Sequence, residues 1–299
     1  DRRFASLFGV LPTAETYLDG TLQLLAAAGV KTVGFVLESS KTFSQATCAG
    51  AKITAKALGL TMMYEYNITA DTLSVEEAAS VATNASASGV EAVLGCTYLA
   101  TAIAVLEGYA EAGVGMPNAL GMTGIVTANT ASTPAVMAAN NLQYVLGPAS
   151  WSAELSGAGY TVPLAAVSQF NLFPANAGEA SATLFNTSYT NKFGLEPIPQ
   201  AVQYIGALYA VATALMNTPN TGSAAIVSTL QETDIASPFG TVGFGASGND
   251  ATKPMINFQW NAALELEVVA PEASTTMNFV YPIPPMSTSS VGTAGSNVT

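Results

Sequence analysis

The chain contains no histidine, which removes imidazole metal sites and excludes Ser-His-Asp or Cys-His catalysis as usually built. No nucleophile stands with a base beside it. Neither GxGxxG nor GxxxxGK[ST] follows a strand, so no phosphate-cradling loop is expected. Hence no enzyme, no cofactor and no metal site is predicted. Two cysteines, Cys48 and Cys96, fall on a predicted helix and at the end of a predicted strand. They are either two buried thiols or one disulfide, and their spacing leaves both open. Glu38 ends a predicted strand, where ligands meet open α/β sheets, although a solvated loop acid would read the same way. Asn67, Asn84, Asn186 and Asn297 open Asn-X-Ser/Thr sequons and are candidate glycosylation sites. Chance gives nearly as many in a chain this rich in Ser and Thr, so their placement at a strand end, on helix faces and in the tail carries more weight.

The elements that position these groups are organised around residues 29–67. Val33 to Leu37 is a short apolar run, the pattern of a strand buried on both faces. A helical stretch follows, with Ala46, Ala49, Ile53, Ala57 and Leu58 near a 3.6-residue repeat, and Gly59 stops it. Leu60 to Tyr66 reads as a second strand, which completes a βαβ crossover and implies a parallel sheet. Upstream, residues 21–28 read as a helix. Downstream come helix 72–88 with Glu76 and Glu77 near its positive end, strand 92–96, helix 100–112 and strands 120–122 and 142–146. The last is closed by Gly147 and Pro148. This alternation predicts a doubly wound sheet with helices on both faces.

From residue 151 the character changes. Residues 164–170 are strand or coil, and helices are predicted at 179–193, 200–217 and 223–231. Short strands follow at 242–244, 255–260 and 264–269. The tail 271–299, rich in Pro, Ser and Thr, is predicted to be extended or disordered. The three helices carry apolar faces, Tyr204, Ile205, Leu208, Tyr209, Ala212 and Leu215 among them, yet few strands are available to cover them. Something outside the chain is therefore expected there: an N-terminal fragment of the same precursor or a neighbouring subunit. Phe279, Val280 and Tyr281 could add a strand to an open edge.

Charged residues make up only 9% of the chain, against about 25% in an average globular protein, and the net charge is −12. An acidic chain of this kind lacks the basic face that nucleic acid or an anionic membrane requires. Such a weakly charged surface needs glycans or burial in an assembly to stay soluble. The longest apolar stretch, 204–216, is too short to span a bilayer. Asp1, Arg2 and Arg3 do not open a signal peptide, so any leader would already have been removed.

The order of the motifs resembles a known family. GVKTVGFVLESSKTFSQATCAGAKITAKALGL, SGVEAVLGCTYLATAIAVLEGYAEAG and LQYVLGPASW are followed by YTNKFGLEPIPQAVQYIGALYAVATALMN, SPFGTVGFGASGN and INFQWNAALELEVVAP. Over roughly residues 5–271 this series is similar to the type I periplasmic-binding-protein fold, in its branched-chain amino-acid-binding and receptor ligand-binding branch. That resemblance implies an α/β, Rossmann-like doubly wound lobe plus a second, incomplete and mainly helical lobe, because the family's opening stretch has no counterpart. Residues 12–150 and 240–270 would form the α/β lobe, and 151–239 the remainder of the other.

The resemblance also implies a ligand cleft at the loops after the first, third and fourth strands of this lobe. It would be lined by Ser39, Ser40, Phe43, Thr97, Tyr98 and Thr123. Tyr98 could equally be a packing residue, Phe43 fits the core better than the cleft, and Trp151 either stacks a ligand or, the favoured reading, wedges between lobes. Amino-acid-binding relatives often carry an acid where Thr123 stands, a charge that threonine cannot supply. The function implied is a non-enzymatic extracellular module, periplasmic in a bacterium, for a small polar ligand. The alternative is a structural glycoprotein subunit of a fibre or surface layer.

Overall fold

Val33, Gly34, Phe35 and Val36 carry no group that needs water, and they form the buried middle of β1 (Thr32–Glu38). The computed structural model describes residues 6–70, 73–127, 142–153, 155, 161–163, 179–218, 222–232, 234–245, 248–250 and 253–284. Around β1 the chain alternates strands and helices: α1 (Asp19–Ala27), then β1, α2 (Thr42–Ala57), β2 (Thr61–Ile68), α3 (Val75–Ala87), β3 (Ala92–Cys96), α4 (Leu99–Ala112) and β4 (Ala119–Met122). Next come β5 (Leu146–Ala149), a small ribbon of β6 (Thr161–Pro163) and β7 (Glu179–Ser181), and the helices α5 (Ala182–Phe193), α6 (Pro199–Asn217) and α7 (Ser223–Glu232). The hairpin β8 (Ile256–Trp260) and β9 (Leu266–Ala270) closes the order.

The main sheet has seven strands in the order β2-β1-β3-β4-β5-β8-β9. Strands β2 to β5 and β1 run parallel, whereas β8 pairs antiparallel with β5 and β9 antiparallel with β8. Side chains alternate across the sheet, so Val33, Phe35 and Leu94 enter one core with Leu18, Leu22 and Leu25 of the α1 side. Val36 and Val93 enter the other core, with Val81, Val105 and Leu106 of α3 and α4. The second core continues through Trp151 to Val202, Tyr209 and Phe239, so α6 is packed onto the same apolar mass.

Local signals explain the helix ends. Ser74 caps α3 by accepting the Glu77 N–H, and Ser181 caps α5 by accepting the Leu184 N–H. Gly113 and Gly194 end α4 and α5 in the left-handed conformation, and Pro199 opens α6.

Several expectations are corrected. The buried face of α2 is Ser44, Thr47, Cys48, Gly50, Ala51 and Ala55, while Ile53 is 71% exposed and Ala49, Ala57 and Leu58 also face water. The reason is close approach: a Cβ on Gly50 would lie 1.9 Å from the Glu15 carbonyl oxygen. Only small residues fit there, and a count of bulky apolar residues overlooks them.

Residues 142–145 precede the fifth strand, which runs through Gly147 and Pro148 instead of stopping at them. Residues 179–181 form β7, so the predicted helix starts later. Residues 242–244 make only isolated bridges, Val242 with Ile235 and Phe244 with Asp250.

Residues 271–284 of the tail are held by hydrogen bonds to the sheet and its loops. The Val280 N–H donates to Gln259 Oε1, Gln259 Nε2 donates to the Val280 carbonyl, and Ile283 N–H reaches the Asn118 carbonyl. Met277, Phe279 and Tyr281 pack on the core beneath α1 and α2, so they do not cover the helices at 179–231. The predicted element 164–170 and the tail beyond residue 284 lie outside the described residues.

Cys48 and Cys96 are joined as a disulfide, with Cα atoms 5.6 Å apart, rather than two thiols. The sheet brings the end of β3 beneath α2, a juxtaposition that spacing along the chain does not reveal.

Candidate functional site

Parallel strands end together, and the loops that leave their C-terminal ends form a crevice. Here β3 ends at Cys96 and hands the chain to Thr97 and Tyr98, while β4 ends at Met122 before Thr123 and Gly124. These two loops are locked together. The Thr97 N–H donates to Thr123 Oγ1 at 2.9 Å, and the Thr123 hydroxyl donates to the Thr97 carbonyl at 2.7 Å. Glycine is required at 124, because a Cβ would fall 2.5 Å from both Leu99 N and the Tyr98 carbonyl carbon.

The third support comes from β1. Glu38, buried at its end, accepts the Tyr98 N–H at 2.9 Å and so holds the start of α4. The disulfide ties Cys96, next to Thr97, to α2, whose first turn carries Phe43.

These constraints build an open crevice of about 280 Å³. Its aromatic wall is a row of three rings. Tyr17 meets Phe43 edge-on at 5.0 Å, and Phe43 lies 5.8 Å from Tyr98. Burial pushes the Tyr17 phenol pKa above its ordinary value. Leu11, Pro148 and Met255 add apolar surface, and Ser150, Gln200 and Gln203 close the side towards α6. Gln203 Nε2 donates to Ser150 Oγ at 2.9 Å, which joins α6 to the end of β5.

Of the sequence candidates, Phe43, Thr97, Tyr98 and Thr123 line this crevice together. Ser39 and Ser40 do not. The Ser39 hydroxyl donates to the Ile68 carbonyl at the end of β2, and Ser40 is exposed. Trp151 is buried away from the crevice, its Nε1 donating to the Pro238 carbonyl and its ring edge-on to Phe185. Asn67 and Asn84 are exposed, Asn186 is half-buried, and Asn297 lies outside the described residues.

Sequence reading missed Leu11, Tyr17, Ser150, Gln203 and Met255. Gln203 offered a signal, an amide that with Gln200 interrupts the apolar residues of the first turns of α6. The others come from segments far apart in the chain and offered none.

Among the described residues no cluster of three or more potential metal ligands occurs, and no helix is long and apolar enough to cross a membrane.

The sequence profile described as periplasmic binding protein matches residues 2–264. No curated protein matches the chain in sequence. Among solved structures, the chain is similar to an ABC transporter substrate-binding protein from Desulfitobacterium hafniense in complex with Leu. The TM-score is 0.65 at 13% identity, over 90% of this chain and 69% of that one. It is similar to a leucine binding protein from Thermotoga maritima at TM-score 0.65 and 11% identity, over 87% of this chain and 66% of that one. A solute binding protein from R. palustris in complex with benzoate gives 0.63 at 16%, over 89% and 67%. At these identities the likeness concerns the fold, and the chain spans about two thirds of those proteins' length.

Proposed function

The chain belongs to the periplasmic binding protein family, and on that premise we propose that it is a non-enzymatic solute-binding protein that holds a small molecule in the crevice at the ends of β3 and β4. One observation carries the reading. The two loops there are fixed by hydrogen bonds, a carboxylate and a disulfide, yet Tyr98 between them is left 48% exposed at the crevice wall. Rigid positioning of a half-exposed aromatic suits binding, because little side-chain freedom is lost when a ligand is taken up. Phe43, Thr97, Tyr98 and Thr123 are the proposed contacts from this lobe, with Tyr17, Ser150 and Gln203 added.

The fold relatives are ABC transporter proteins that bind leucine or benzoate. By analogy the chain would deliver its ligand to a transporter from outside the cytoplasm. The Cys48–Cys96 disulfide supports an oxidising compartment such as the periplasm or cell exterior.

We also propose that the division anticipated from the sequence holds, with residues 151–239 completing a second lobe together with polypeptide outside the chain. The exposed apolar stripe of α6 supports this. No observation favours the structural glycoprotein alternative.

The test is a melting-temperature screen against amino acids, aromatic acids and amides, repeated with Tyr98→Ala. A stabilising compound whose effect is lost in the variant supports the reading. A stabilising compound indifferent to Tyr98→Ala and to Phe43→Ala moves the site elsewhere.

A further inference from the structure

The crevice lining is uncharged among the described residues, with no Asp, Glu, Lys or Arg. The nearby carboxylate, Glu38, is buried outside the lining and is occupied by the Tyr98 N–H. The polar groups that remain are neutral. The Thr123 hydroxyl is taken up by the Thr97 backbone on both sides. Ser150 Oγ already accepts from Gln203, which leaves the serine proton and the Gln203 carbonyl oxygen as a donor and an acceptor, with the neutral Gln200 amide in the same lining. The same crevice is lined by the rings of Tyr17, Phe43 and Tyr98.

An ammonium or carboxylate pressed into such a wall would lose water without gaining a counter-ion, a cost of several kcal/mol per ion. A flat apolar ring loses nothing by the same transfer, and a neutral amide or hydroxyl can answer the Ser150–Gln203 pair.

We infer that the part of the crevice built by this chain selects an uncharged molecule with a flat apolar ring and neutral hydrogen-bonding groups, and discriminates against free amino acids and carboxylates. This rests on the binding role proposed above and names its ligand class.

The experiment titrates benzamide, benzoate and phenylalanine separately into the isotope-labelled 299-residue chain. The amide resonances of Thr97, Tyr98 and Gln203 are followed by NMR, with Phe43→Ala and Gln203→Leu as variants checked for an unchanged melt. Benzamide is expected to shift these resonances at a concentration at least about tenfold below the other two, and each variant to weaken it by about tenfold. If benzoate or phenylalanine shifts the same resonances at equal or lower concentration, the neutral-ligand inference is overturned while the binding role stands. If no compound, leucine included, moves them at millimolar concentration, both are overturned.

Discussion

Thr123 commits its one hydroxyl to both sides of the Thr97 peptide, and Thr97 is buried. Replacing it with valine keeps the shape and strands a buried N–H. Thr123→Val should therefore lower stability by about 1–3 kcal/mol in urea titration and weaken crevice binding, since Tyr98 follows Thr97 directly. A variant as stable as wild type would show that water or a loop shift satisfies the Thr97 N–H.

Glu91 offers a second residue-scale test. Its carboxylate accepts the N–H groups of Lys31 at 2.5 Å and Thr32 at 2.9 Å where β1 begins. The Lys31 hydrogen bond and then the Thr32 one hold its pKa below the ordinary carboxylate value. The unfolded chain then binds the proton first as pH falls. The stabilisation is complete above about pH 4.3, the unfolded value, and is lost as pH drops through the lower native one. Because the group is largely in water, the effect is small, about 1 kcal/mol or less. Glu91→Gln should remove this acid-range dependence, read as the difference between stability curves of the two proteins below pH 5 or so.

At the scale of elements, α2 and β3 are the pair that shapes the crevice rim. Their disulfide closes a loop of 48 residues, which by chain entropy corresponds to about 4 kcal/mol. It also links the helix that carries Phe43 to the strand that delivers Tyr98. Cys48→Ala combined with Cys96→Ala should lower the urea midpoint accordingly. It should also weaken ligand binding beyond what a remote destabilisation of equal size would do. A double variant that keeps full affinity would mean that packing alone aligns the rings. The element readings that failed share a cause: α2 buries small residues, and β5 runs through Gly147 and Pro148, where a rule for isolated strands expects a stop.

At the scale of the whole molecule, α6 has two apolar faces. Val202, Gly206, Tyr209, Ala210 and Ala214 are buried. Tyr204, Leu208, Val211 and Leu215, spaced as one helical stripe, face water, with Tyr204 78% exposed. Phe193, Leu195 and Ile198 on the approach to this helix are exposed as well. Exposed apolar side chains gathered on one helix in this way mark an association surface. The 299-residue chain by itself should bind an apolar dye and elute from gel filtration as more than a monomer. Leu208→Lys with Leu215→Lys should restore a monomer without changing crevice binding. A wild-type chain that is monomeric and dye-silent would show that the face needs no cover.

The sequence by itself determined the alternation of strands and helices. The limits of β3, the glycine stop after α4 and the proline start of α6 follow from rules acting within a few residues: hydrophobic runs, caps and φ preferences. Tyr98 and Thr123 were named through the family resemblance, and their meeting follows because loops after parallel strands gather at one end of a sheet. Tertiary structure alone decided the rest. It placed Cys48 against Cys96, turned Ile53 outwards, and folded Phe279 and Tyr281 onto the α1 side of the sheet. It also brought Leu11, Tyr17, Gln203 and Met255 to one crevice. Those outcomes depend on which surfaces approach closely enough to exclude a side chain or a water molecule, and that distance is set by the packing of the whole chain.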